Sequence, residues 1–135
     1  MKKLLLLSVL FALNGAPVTA QEADTLKVYD VTERMPSFPG GQAALYQYIH
    51  SNLNHDLAKD YVERIIMTFT VEKDGTLSDI KSAQYCDCDD EEGYYKNLIR
   101  EAKRVLQSMP RWKPGRQNCR PVRVKYTLPV TFRKD

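Results

Sequence analysis

The side chains best suited to chemistry in this 135-residue chain are three cysteines and two histidines, and their spacing decides how far they can go. Cys86-Asp87-Cys88 runs into Asp89, Asp90, Glu91 and Glu92, a combination that could hold a metal or cycle between thiols and a disulfide. A closed zinc site wants four ligands, however, and only the two thiols of the Cys-x-Cys are local. His50 and His55 stand in no recognisable catalytic or metal spacing. The paired carboxylates fall in one run ahead of a helical segment, where they suit the positive end of the helix rather than acid–base work. Gly40-Gly41 is followed by neither Lys-Ser nor Lys-Thr, and no Gly-x-Gly-x-x-Gly occurs, which excludes the common phosphate-binding loops. The residues therefore predict a non-enzymatic protein with no catalytic group, cofactor or resident metal. Cys86, Cys88 and Cys119 remain as thiol or disulfide candidates.

The N-terminus sets the compartment. Lys2-Lys3, an apolar run over 4–13 and a polar stretch ending Val18-Thr19-Ala20 make the charged, apolar and small-residue regions of a secretory signal peptide, cleaved after Ala20. The alternative is an uncleaved membrane anchor. Ten helical residues span roughly 15 Å against a hydrocarbon core of roughly 30 Å, and Asn14, Gly15 and Pro17 interrupt the run, so no stable anchor is expected after processing. Removing residues 1–20 leaves 115 of the 135 residues, and 18 of the 20 Lys and Arg against 17 Asp and Glu. That is one domain with one modest core. A net charge of +1 and an exported location argue against nucleic acid as a partner. Residues 21–27 read as a short polar linker and 28–135 as the domain. Three cysteines in an oxidising compartment leave at least one unpaired within the monomer.

Val28-Tyr29-Asp30-Val31 can form a short leading strand, and Pro36 and Pro39 keep the next stretch extended. Ala44, Leu45, Tyr48, Ile49 and Leu53 then recur at helical spacing. Residues 65–71 alternate in hydropathy, Lys73-Asp74-Gly75 makes a hairpin turn, and residues 77–85 return as the second strand. A longer helix carries Leu98, Ile99, Ala102, Val105, Leu106 and Met109 on one stripe and stops at Pro110. In the last strand Val122, Val124, Tyr126, Leu128, Val130 and Phe132 alternate with Arg123, Lys125, Thr127, Pro129, Thr131 and Arg133. Pro129 has no amide proton, so this strand belongs at a sheet edge or at a bulge. The expected fold is α+β: two layers, a three-stranded antiparallel sheet in the order 2-1-3, and two helices packed on one face. In that topology Cys119 begins the last strand at the end of the sheet away from Cys86 and Cys88. A seven-residue strand spans about 23 Å, too far for a disulfide needing 4.4 to 6.8 Å between Cα atoms. The options left are a strained Cys86–Cys88 bridge, free thiols, or an intermolecular bond through Cys119.

Several segments in this order carry a resemblance: Glu33-Arg-Met-Pro-Ser-Phe-Pro-Gly-Gly41, Ala44-Leu45 with Tyr48-Ile49 and Asn52, Lys73-Asp-Gly75, Ser108-Met-Pro-Arg-Trp-Lys-Pro-Gly115, and the ending Leu128-Pro-Val-Thr-Phe132. Over residues 28–133 the chain resembles the TonB C-terminal domain family. The resemblance implies a periplasmic module that binds N-terminal peptides of TonB-dependent outer-membrane receptors by strand addition, in energy-coupled transport. It maps the partner-binding edge to the last strand, with Arg120, Val122, Arg123, Val124, Lys125, Tyr126, Thr127 and Leu128 as its candidate residues. It also makes Trp112 structural, under the turn at Pro114-Gly115. Relative to the family pattern the chain reads as a stand-alone exported member without the long spacer, and His55-Asp56 stands where Tyr-Pro is usual. The alternative function is a self-associating or regulatory periplasmic domain, with a homodimer formed through the same edge.

Overall fold

The structure, a computed structural model, describes residues 26–59, 61–83 and 93–134. Its organising element is a hairpin. Strand β2 (Val62–Val71) and strand β3 (Leu77–Ser82) pair antiparallel around a turn in which Glu72 N–H bonds to the Thr76 carbonyl at 2.8 Å and Gly75 N–H to the Glu72 carbonyl at 2.9 Å. Gly75 sits at φ 86°, the left-handed position that closes such a loop. Asp74 braces it by accepting from both the backbone N–H and the hydroxyl of Thr76.

The long last strand β5 (Arg120–Arg133) pairs antiparallel with β2 through an unbroken register from Val62↔Arg133 to Val71↔Val124. Ile65, Met67, Phe69 and Val71 of β2 and Leu128, Val130 and Phe132 of β5 therefore share one face. Helices α1 (Gln42–Asn52) and α2 (Tyr94–Gln107) cover that face with Leu45 and Ile49, and with Leu98, Ala102, Val105 and Leu106. The helices also grip each other: Arg104 Nη2 donates to the Asn52 carbonyl at 2.7 Å and Glu101 accepts from Asn54 N–H at 3.0 Å, so α2 supplies partners for groups left over where α1 ends.

The α+β class and the two helices are as expected, and so is the placing of the first hairpin strand between its partner and the last strand. The sheet itself differs. It is mixed and five-stranded, in the order β1-β5-β2-β3, with β4 paired to β5 off that path, rather than a three-stranded antiparallel sheet. The leading strand β1 (Val28–Tyr29) joins that sheet, parallel to β5 at Arg123 and Val124, and β4 (Gly115–Gln117) pairs with Arg120, Pro121 and Val122. Both additions are too short for a hydropathy period to reveal their partners. Each depends on contacts far away in the chain: the leading segment is tied down by reciprocal backbone hydrogen bonds of Arg34 with Arg116 and of Ser37 with Lys113. Strand β3 ends at Ser82; the expected extension to Tyr85, together with Cys86, Cys88 and the signal segment, lies outside the described residues.

Candidate functional site: the free edge of the last strand

Two hydrogen bonds fix which backbone groups of β5 remain available. Lys134 N–H donates to the Tyr61 carbonyl at 2.9 Å, on the β2 side. Alternation then directs the N–H and C=O of Val124, Tyr126, Leu128, Val130 and Phe132 toward β2, and those of Arg123, Lys125, Thr127, Pro129, Thr131 and Arg133 to the opposite side. Arg133 agrees with that phase, since its N–H donates to His55 Nδ1 at 2.9 Å rather than into the ladder. Pro129 thus presents its missing donor outward, where no β2 bond is lost.

Among the described residues, no strand pairs with that outer side from the Lys125 carbonyl to Thr131. The opening is bounded at both ends. At the near end β1 lies beside Arg123 and Val124 and, since Val124 faces β2, takes the outward groups of Arg123 and the Lys125 N–H; Arg123 Nη1 also donates to the Leu26 carbonyl at 3.0 Å, holding the leading segment there. At the far end stands His55, in a 3₁₀ turn over His55–Leu57. Its Nδ1 accepts the Arg133 N–H and so carries no proton, which leaves Nε2–H to donate to the His50 carbonyl at 2.9 Å. The His50 and His55 rings lie 4.6 Å apart between centroids. A groove of about 370 Å³ runs beside the opening, with Tyr46 and His50 of α1 on one wall and Arg64, Thr131 and Arg133 on the other.

The eight predicted edge residues therefore divide. Arg120 and Val122 are paired with β4, Arg123 and Val124 with β1. Lys125 directs its carbonyl and Thr127 both its backbone groups into the opening, with exposed side chains, whereas Tyr126 and Leu128 direct theirs to β2 and turn their side chains to the core layer. Tyr126 stacks on Phe69 at 5.5 Å, and burial pushes its phenol above the ordinary range. Cys119 is exposed, bridged to no described residue, and held at φ 62° beside Asn118 at φ 52° in the two-residue turn between β4 and β5. Among the described residues no group of three or more His, Cys, Asp or Glu could hold a metal. Sequence reasoning missed the pairing of β1 with β5, the contributions of Tyr46 and Arg64, and the role of His55; for His55 the signal was its place at the usual Tyr-Pro position.

The anchor of the near end has a pH signature. Glu72 accepts from Arg123 Nε at 2.7 Å and from Nη2 at 3.0 Å, and also from the Ser78 hydroxyl. The Arg123 hydrogen bonds, aided by Ser78, hold its carboxyl below the ordinary 4.5. A depressed folded-state value contributes stability that is present above about pH 4.5 and lost as pH falls through the folded-state value. Glu72→Gln is therefore expected to lose less stability than the parent as pH falls below that point, in urea titrations at stepped pH. An equally steep acid limb would show that the pair contributes nothing.

No described helix is long and apolar enough to cross a membrane. Comparisons with curated proteins and with solved structures return no match. A family model does match, over residues 62–133, which contain the hairpin, α2 and the whole of β5. The chain belongs to the family described as Gram-negative bacterial TonB protein C-terminal, a family of protein-interaction and energy-transduction domains rather than of enzymes.

Proposed function

We propose that this domain, spanning residues 28–135 of an exported chain cleaved after Ala20, binds an extended N-terminal segment of a TonB-dependent outer-membrane receptor by strand addition along residues 125–131. The observation that carries the reading is the run of backbone groups at Thr127, Pro129 and Thr131, together with the Lys125 carbonyl, that point away from β2 with no strand opposite them among the described residues. An edge of that length, roughly 23 Å, matches the span of a short peptide strand. Edge strands usually carry protection, here Lys125 and Pro129, yet the outward Thr127 and Thr131 amides leave room for directional pairing. Family membership supports the class of partner.

Photo-crosslinking in cells from position 125, where the side chain is exposed beside the opening, tests this reading. Capture of outer-membrane receptors through their N-terminal segments is the expected result. Capture of this chain alone would favour self-association through the same edge, and capture of neither would remove the edge as the binding surface.

A further inference from the structure

We propose that the segment added to β5 carries a carboxylate side chain facing Thr131, and that Arg64 and Arg133 select it. This rests on the strand-addition reading above. Arg64 is the register partner of Thr131, and Arg133 lies two residues further along β5, so all three side chains project from the same, outward face. Directly opposed residues place Cβ atoms about 5 Å apart, and diagonal ones about 7–8 Å. Two guanidinium groups at such a diagonal repel each other unless an anion lies between them.

Both Arg64 and Arg133 are exposed, and no ion pair to either is formed among the described residues. Arg104 and Arg123, by contrast, each have a glutamate of the same chain, Glu101 and Glu72. Other arginines, such as Arg34 and Arg116, also lack an ion pair among the described residues, but Arg64 and Arg133 are the two that together line the groove running along the opening. The described wall contains His50, Tyr46 and Thr131 as further polar groups, and no carboxylate. An anion entering there meets positive charge from one face only. That it is a polypeptide carboxylate follows from the neighbouring backbone: Thr131 offers N–H and C=O along a strand edge, which an extended chain satisfies and a small anion does not. In an antiparallel or parallel added strand, the residue opposite Thr131 projects to the Arg64 and Arg133 side, whereas its two neighbours project toward Tyr46 and the core layer. Recognition is thus tied to one position of the peptide.

The test is a display selection of random ten-residue peptides on the exported chain, followed by fluorescence anisotropy on the recovered peptides and their Glu→Gln versions. The expected result is recovery of extended sequences with Asp or Glu at one fixed position, a roughly tenfold weakening on Glu→Gln at low salt, and a smaller difference at high salt. Arg64→Gln with Arg133→Gln is expected to bind the two versions alike. Recovered peptides that depend on the Thr127 amide but tolerate Glu→Gln without loss would overturn the carboxylate inference and leave strand addition standing. Recovery of only peptides indifferent to Thr127→Pro would overturn both.

Discussion

Replacing Trp112 by alanine is expected to lower the unfolding free energy by about 3–5 kcal/mol, as truncation of a fully buried aromatic does. Trp112 is 3 % exposed and is the only tryptophan of the chain. Its ring meets Phe38 at 5.8 Å, Phe69 at 5.4 Å and Tyr126 at 5.1 Å, all edge-on or steeply tilted, so four aromatic rings from the leading segment, β2, the α2–β4 connection and β5 converge on one point. Its backbone is committed as well: the Trp112 N–H donates to the Gly75 carbonyl at 2.9 Å. A Cβ added at Gly75 would stand 2.1 Å from the Trp112 carbonyl oxygen, so the hairpin turn and this connection touch backbone to backbone. Against a usual total of about 5–15 kcal/mol, a loss of that size brings the domain close to unfolding. Trp112→Phe separates packing from hydrogen bonding. The indole Nε1 is buried without a partner among the described residues, so the phenyl ring forfeits contact area but strands no polar group, and a loss of about 1–2 kcal/mol is expected. Urea denaturation followed by circular dichroism measures both variants. An alanine variant within about 1 kcal/mol of the parent would mean that the aromatic cluster does not hold the layers together.

Where a residue's role follows from local periodicity, the chain's own pattern of side chains is enough to assign it. The alternation from Val122 to Phe132, with Pro129 among its outward positions, both orients β5 and implies that one of its sides is not fully laddered. Asp74-Gly75 likewise specifies its turn by backbone chemistry alone. The features that escape such reading depend on partners distant in the chain. Val28-Tyr29 is a two-residue strand, and its parallel pairing with β5 is supported by the reach of Arg123 to the Leu26 carbonyl. Arg123 in turn pairs with Glu72 only because the register brings the start of β5 beside the end of β2. The family resemblance puts Trp112 beneath Pro114-Gly115, and the structure seats it against the Gly75 turn and Phe38. Gly115 has its own tight contact: a Cβ there would lie 2.5 Å from Val124 Cγ2. His55 shows the same limit. Nothing in its neighbours along the chain says that its Nδ1 will meet the Arg133 amide and close one end of the edge.

Proline at 127 and proline at 128 are expected to have opposite consequences, and the contrast tests the phase of the ladder. Thr127 directs its N–H to the open side, so Thr127→Pro removes no bond to β2 and places the ring where the side chain is already exposed. The preceding residue, Tyr126, is in a strand, the conformation that a following proline prefers. Folding stability should change by less than about 1 kcal/mol, the usual range for surface substitutions. Binding of an added strand should weaken by roughly tenfold or more, because one inter-strand donor is lost and the ring crowds the approaching chain beside Pro129, which already lacks a donor. Leu128 is the converse case. Its N–H faces Met67 across the β2 ladder and its side chain is 1 % exposed, so Leu128→Pro forfeits a central ladder bond and a core side chain together. A loss of about 3 kcal/mol or more is expected, with unfolding rather than selective loss of binding. Urea midpoints and peptide anisotropy on the two variants separate these outcomes. If Thr127→Pro unfolds the domain, or leaves binding of edge-dependent peptides intact, the outer side of residues 125–131 is not the surface at which a partner strand pairs.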